Sequence, residues 1–105
     1  MIEINVNPGI CGFNTVIIAE STDGMSADIE IKSDCPAVKS FSERIKKVDV
    51  MNDVFSPFGS SLIFKEASST ITHAACPVPT AVLKAAEAAA NLALPADVIF
   101  KMTKK

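Results

Sequence analysis

The 105-residue sequence contains no tryptophan, no tyrosine and a single histidine, so its aromatic side chains are six phenylalanines. Proteins that bind single-stranded nucleic acids stack bases on aromatic side chains and follow the backbone with a basic groove. The net charge of this chain is −2, and its lysines form no basic stripe. We therefore expect no nucleic-acid partner.

Long apolar runs are also missing. Lys84, Glu87 and Asn91 interrupt the most apolar segment, so no stretch approaches the roughly 20 residues that cross a membrane. The first residues, MIEINVNPG, have neither the basic block nor the apolar block of a secretory signal peptide. We therefore expect a cytosolic protein with no membrane partner.

Cysteine is scarce, and its spacing excludes several familiar arrangements. Cys11, Cys35 and Cys76 each stand alone, and there is no C-x-x-C pair. Three cysteines in a reducing cytosol do not form a disulfide framework. A chain of this length builds its own hydrophobic core without such crosslinks. The sequence therefore predicts free thiols and a single domain over residues 1–105.

Apolar and polar residues alternate in the first third of the chain. Residues 2–7 and 26–33 follow this period of two, and residues 13–20 are rich in β-branched side chains. The Asp-Gly step in STDG, residues 21–24, is typical of a tight hairpin. These features predict a three-stranded antiparallel meander with one buried face and one solvated face.

The pattern then changes to a helical period. Residues 34–48 predict an amphipathic helix that begins at Asp34 or Cys35, with Pro36 in its first position. Residues 60–71 predict a short helix, residues 77–92 a long and mostly buried one, and residues 97–103 a last strand. The order β-β-β-α-(α)-α-β predicts a two-layer α+β sandwich, with helices on one face of a mostly antiparallel four-stranded sheet.

This topology predicts that the three cysteines lie at one end of the domain. Cys11 follows the first strand and Cys35 the third, and alternate strands of a meander end on the same side. Cys76 reaches that side if a single element returns the chain within residues 49–72. Cys35 and Cys76 each precede a proline at a predicted helix start, where free N–H groups and the helix dipole favour a thiolate.

Three converging thiols indicate a metal centre. Cys11, Cys35 and Cys76 can hold one face of an iron–sulfur cluster, with His73 as a candidate fourth ligand. The same Cys₃His set also suits a zinc ion. The predicted roles are electron transfer, cluster carriage or redox sensing, with a protein redox partner. The alternative is a structural or partner-binding domain, because free cysteine is commonly a small, buried and inert side chain.

Two resemblances add to this interpretation. Cys76, Pro77, Pro79 and Lys84 match the CPxP segment of TusA-type sulfur carriers, and that resemblance implies a persulfide on Cys76 and a sulfur-relay partner. The blocks NPGICGF, SDCP and HAACPVP resemble those of uncharacterised small proteins of methanogenic archaea and other anaerobes. The second resemblance implies an anaerobic setting, which favours oxygen-sensitive iron–sulfur chemistry over zinc.

Overall fold

A computed structural model describes residues 1–105 and contains one antiparallel sheet with helices packed against it. The strands pair in chain order and are β1 (Ile2–Val6), β2 (Thr15–Glu20), β3 (Ser26–Ser33) and β4 (Lys47–Asp49). The helices are α1 (Pro36–Arg44), α2 (Val50–Asp53), α3 (Leu62–Thr70) and α4 (Val78–Ala89), with a 3₁₀ turn at Phe58–Ser60. The predicted α+β class with a four-stranded antiparallel sheet is confirmed.

The two faces of the sheet differ as the alternation predicts. Ile17 and Ala19 of β2 are fully buried, whereas Glu3, Asp28 and Glu30 on the opposite face are exposed. The β2–β3 hairpin is closed by a side chain, because the Asp23 carboxylate accepts the N–H groups of Met25 and Ser26, each at 2.9 Å. The meander therefore directs one apolar face towards the helices.

Helices α1 and α4 pack directly on that face, and α3 packs against these two helices. Helix α4 contacts β1, β2 and β3, helix α1 contacts β3, and α3 packs against both α1 and α4. Small side chains allow α4 to approach the sheet closely, and Ala85 and Ala86 are fully buried. No helix in the structure is both long enough and apolar enough to cross a membrane.

The fourth strand is not where the sequence pattern predicts it. Residues 97–103 have no regular secondary structure. The strand β4 instead overlaps the end of the predicted helix 34–48, because the observed helix α1 already ends at Arg44. Val48 is buried through its place in β4. Ile45 and Val48 fit a helical spacing as well as a turn followed by a short strand. A strand also needs a hydrogen-bonded neighbour, and residues 97–103 have none within the chain.

A single helix returns the chain through residues 49–72. Helix α2 begins where β4 finishes, and its Val50 N–H donates to the Met25 carbonyl of the hairpin at 3.0 Å. The 3₁₀ turn and α3 follow along the chain. Asp53 fixes the start of α3, because its buried carboxylate accepts the N–H groups of Asp49 at 3.3 Å and Leu62 at 3.2 Å. The 49–72 region therefore supplies the one crossing that would place Cys76 beside the other cysteines.

Candidate thiol site

Cys11, Cys35 and Cys76 lie at one end of the domain. Strands β1 and β3 run in the same direction because both are antiparallel to β2, so Cys11 after β1 and Cys35 after β3 share an end. Helix α4 finishes at the opposite end, where the Ala90 carbonyl approaches Gly24 of the hairpin. Cys76, directly before α4, is therefore at the same end as the other two. All three cysteines are free.

Cys35 is held by the sheet. It is the N-cap residue of α1, and its N–H donates to the Ser33 hydroxyl at 3.2 Å. That hydroxyl also accepts from the buried Thr15 hydroxyl at 2.9 Å, which joins β2 to β3 beneath the cysteine. Cys35 is half-buried and packs against the core, so its position is set by rigid elements.

Cys11 lies on an exposed turn between β1 and β2. The Gly9 N–H donates to the Asn7 side-chain oxygen at 3.1 Å, and the Gly12 N–H donates to the Gly9 carbonyl at 3.1 Å. Gly9 and Gly12 have φ angles of +94° and +72°, which side chains rarely tolerate. The turn therefore needs both glycines, and it presents the Cys11 thiol to solvent.

Cys76 is half-buried at the start of α4, and its N–H donates to the His73 carbonyl at 3.0 Å. Burial raises the pKa of the Cys76 thiol, and the negative charges of the Cys35 and Cys11 thiolates raise it further. The Val78 N–H, which donates to the Cys76 sulfur, acts in the opposite direction. The expectation of a more readily formed thiolate is therefore wrong for Cys76, because burial outweighs the helix start.

His73 lies three residues before Cys76 on the loop that enters α4, and its side chain is exposed. No group of three or more histidine, cysteine, aspartate or glutamate side chains is arranged to hold a metal ion. The predicted ligands Cys11, Cys35, Cys76 and His73 thus share one end of the domain without forming a ready-made coordination sphere.

A groove of about 390 Å³ opens between α3 and α4 beside Cys76. Phe64, Ala67 and Ile71 line one wall, Pro79 and Thr80 line the other, and His73 and Cys76 lie at its edge. This groove is not among the features that the sequence predicts. Its signal was the spacing of Phe64, Ala67 and Ile71, which places them on one side of a helix. Cys76 is thus one of the residues that line an open groove.

One family model, that of a protein family of unknown function, matches residues 2–102. The matched range includes the three cysteines, His73 and every strand and helix of the fold. Neither the curated proteins nor the solved structures contain a match to the chain.

Proposed function

Because the chain belongs to DUF6951, a family of unknown function, we propose a function from the thiol site itself. The protein binds a metal centre, an iron–sulfur cluster rather than zinc, through Cys11, Cys35 and Cys76. The observation that carries the proposal is that three free thiols from distant parts of the chain share one end of the domain. The role is electron transfer, cluster carriage or redox sensing with a protein redox partner.

Electrostatics supports a cation at this position. Burial raises the pKa of Cys76, and the thiolate charges of Cys35 and Cys11 raise it further, so Cys76 holds its proton more firmly when they are charged. A bound metal ion would take the place of that proton and offset the repulsion, because a coordinating thiol is deprotonated outright. A soft metal centre is therefore the partner that this group of sulfurs favours.

The three thiols differ in how firmly they are held. Cys35 and Cys76 pack against the core at the starts of α1 and α4, so they provide a fixed half of the site. Cys11 is on an exposed turn with two positive-φ glycines. In this proposal Cys35 and Cys76 would hold a metal centre from fixed positions, and the turn would supply Cys11 as the third thiolate.

The choice of metal follows from the ligands and the setting. Three thiolates hold a cluster and leave one coordination position for a histidine, a water or a substrate. The exposed His73, three residues before Cys76, is the candidate histidine. The resemblance to proteins of anaerobes favours an oxygen-sensitive cluster. We place the protein in the cytosol, where reducing conditions keep the three cysteines free.

The proposal is tested by purifying the protein without oxygen and supplying iron and sulfide. We expect bound iron and acid-labile sulfide, with visible absorbance that is lost in Cys11→Ser, Cys35→Ser and Cys76→Ser. The matched control is Met25→Ser, at an exposed position in the hairpin at the opposite end, which keeps the cluster. A folded protein that binds no metal after this treatment contradicts the proposal, and zinc binding without iron selects the Cys₃His zinc site.

The groove beside Cys76 favours a second candidate function, sulfur transfer. The Cys76 thiolate attacks the outer sulfur of a persulfide donor and releases the donor thiolate, and an acceptor thiolate from a sulfur-relay partner later removes that sulfur and regenerates Cys76. The raised pKa keeps most of the Cys76 thiol protonated at neutral pH, which ranks this function second. Intact-mass and peptide-mass analysis after incubation with glutathione persulfide tests it. Equal labelling of Cys11, Cys35 and Cys76 contradicts it.

A further inference from the structure

Residues 93–105, here called the tail, leave α4 without finding a partner. They have no regular secondary structure and make no hydrogen bond within the chain. Their large apolar side chains are open to solvent, with Leu94 at 90%, Phe100 at 79% and Met102 at 92% exposure. A contiguous apolar stretch of this kind on a small domain marks an interaction surface.

The edge of the sheet at β1 is also without a partner. Strand β1 pairs with β2 on one side, and no other element bonds to it. Its core-facing side chains Ile2 and Ile4 remain only half-buried. Edge strands of stable proteins are normally shortened, covered or heavily charged, because their free N–H and C=O groups accept another strand. Glu3 is the one charged residue of β1.

The tail and the β1 edge match each other residue by residue. Residues 97–103 alternate, with Val98, Phe100 and Met102 on one face. An antiparallel register that sets Phe100 opposite Ile4 also sets Val98 opposite Val6 and Met102 opposite Ile2. All three pairs then extend the apolar layer beneath the helices.

The same register brings opposite charges together on the solvated face. Lys101 stands opposite Glu3, which is exposed. Directly opposite side chains in an antiparallel pair are close enough for such charges to attract. Apolar and charged residues thus agree on one alignment, whereas a shift by one residue reverses every face.

We propose that two copies of this chain form a symmetric dimer in which the tail of each copy adds a fifth strand to the other copy at β1. A second copy is the partner because the chain's own tail makes no hydrogen bond to its own β1 edge or to any other part of the chain. The exchange is reciprocal, so a two-fold dimer satisfies both tails and both edges at once.

Sedimentation equilibrium of the full-length, reduced protein tests the dimer. We expect a dimer whose dissociation constant rises at least about tenfold in Phe100→Asp, because the aromatic ring is the largest apolar group that the tail inserts. The matched control is Met25→Asp, which adds the same charge at an exposed position of the hairpin, 64% exposed, and leaves the dimer unchanged. A protein that is monomeric at every concentration overturns the proposal, as does a dimer that Phe100→Asp leaves intact.

A charge exchange tests the register. Lys101→Glu and Glu3→Lys are each expected to weaken the dimer by about threefold to tenfold, and the double variant to recover most of the loss. Single variants without effect overturn the register.

A disulfide experiment identifies which copy supplies the strand. In a background with the native cysteines changed to serine, chains carrying Glu3→Cys are mixed with chains carrying Lys101→Cys and oxidised. A crosslinked dimer is expected. If both changes placed in one chain give only an internally crosslinked monomer, the tail pairs with its own edge and the proposal is overturned.

Discussion

At the scale of single residues, Cys76 shows how two local effects compete at one atom. A helix start favours a thiolate, and the Val78 N–H donates to the Cys76 sulfur. Burial against the core raises the pKa of the same thiol and is the larger effect, and the thiolates of Cys35 and Cys11 add to it. The Cys76 pKa thus reports on the other two cysteines without any bound ligand.

We predict that the double change Cys11→Ser and Cys35→Ser lowers the pKa of Cys76 in the metal-free protein. Two neighbouring negative charges disappear, while burial keeps the pKa above its ordinary value. The measurement is a titration of the thiolate by its ultraviolet absorbance. Cys35→Ser alone is expected to have a larger effect than Cys11→Ser alone, and an unchanged pKa in the double variant removes the electrostatic support for a shared site.

At the scale of elements, Asp53 links α2 to the start of α3 by hydrogen bonds, in addition to the core packing of both helices. Its buried carboxylate accepts the N–H of Asp49, the N-cap residue of α2, and the Leu62 N–H at the start of α3. Helix α3 is the single crossing that returns the chain to the thiol end. A side chain far from the cysteines therefore helps to determine where Cys76 lies.

We predict that Asp53→Ala lowers the free energy of unfolding by about 1–3 kcal/mol, because two N–H groups lose a buried, charged acceptor. Asp53→Asn is expected to cost less, since its amide oxygen still accepts one of the two bonds. The control Asp34→Ala removes an exposed carboxylate and is expected to change stability by less than about 0.5 kcal/mol. Urea unfolding gives these values. A loss in Asp53→Ala no larger than in Asp34→Ala contradicts the role of the carboxylate.

At the scale of the whole molecule, two groups with shifted pKa values act at opposite ends of the pH range. The Met25 and Ser26 N–H groups lower the pKa of Asp23, so its contribution to stability is complete above about pH 3.8, the ordinary value, and is lost as the pH falls through the lowered pKa. The pKa of Cys76 is raised mainly by burial, so its contribution is complete below about pH 9.0 and is lost as the pH rises through the raised pKa.

We therefore predict a plateau of stability between these limits for the metal-free protein, with a fall on each side. Urea midpoints measured across the pH range test this. Asp23→Ala is expected to reduce the fall in stability at acid pH and leave the fall at alkaline pH unchanged, whereas Cys76→Ser is expected to do the reverse. If neither variant alters the pH dependence of stability, these two groups do not cause it.

Local periodicity was enough to predict much of the fold. The strands 2–7, 13–20 and 26–33, the Asp-Gly hairpin and the helix starts at Cys35 and Pro77 all lie within about a residue or two of their observed places. Alternation and capping depend on residues that are close in the sequence, so the sequence alone predicts them. The position of β4 could not be predicted in this way, because three residues are too few to show a repeated alternation.

By itself, the sequence determined the α+β class, the buried face of the meander and three thiols at turns and helix starts. These properties follow from side-chain chemistry and short-range spacing. Only the tertiary structure decided that α3 is the single crossing before Cys76, that burial raises the pKa of Cys76, and that β1 rather than the tail forms an edge of the sheet. Each of these depends on contacts between residues far apart in the chain, which no local pattern records.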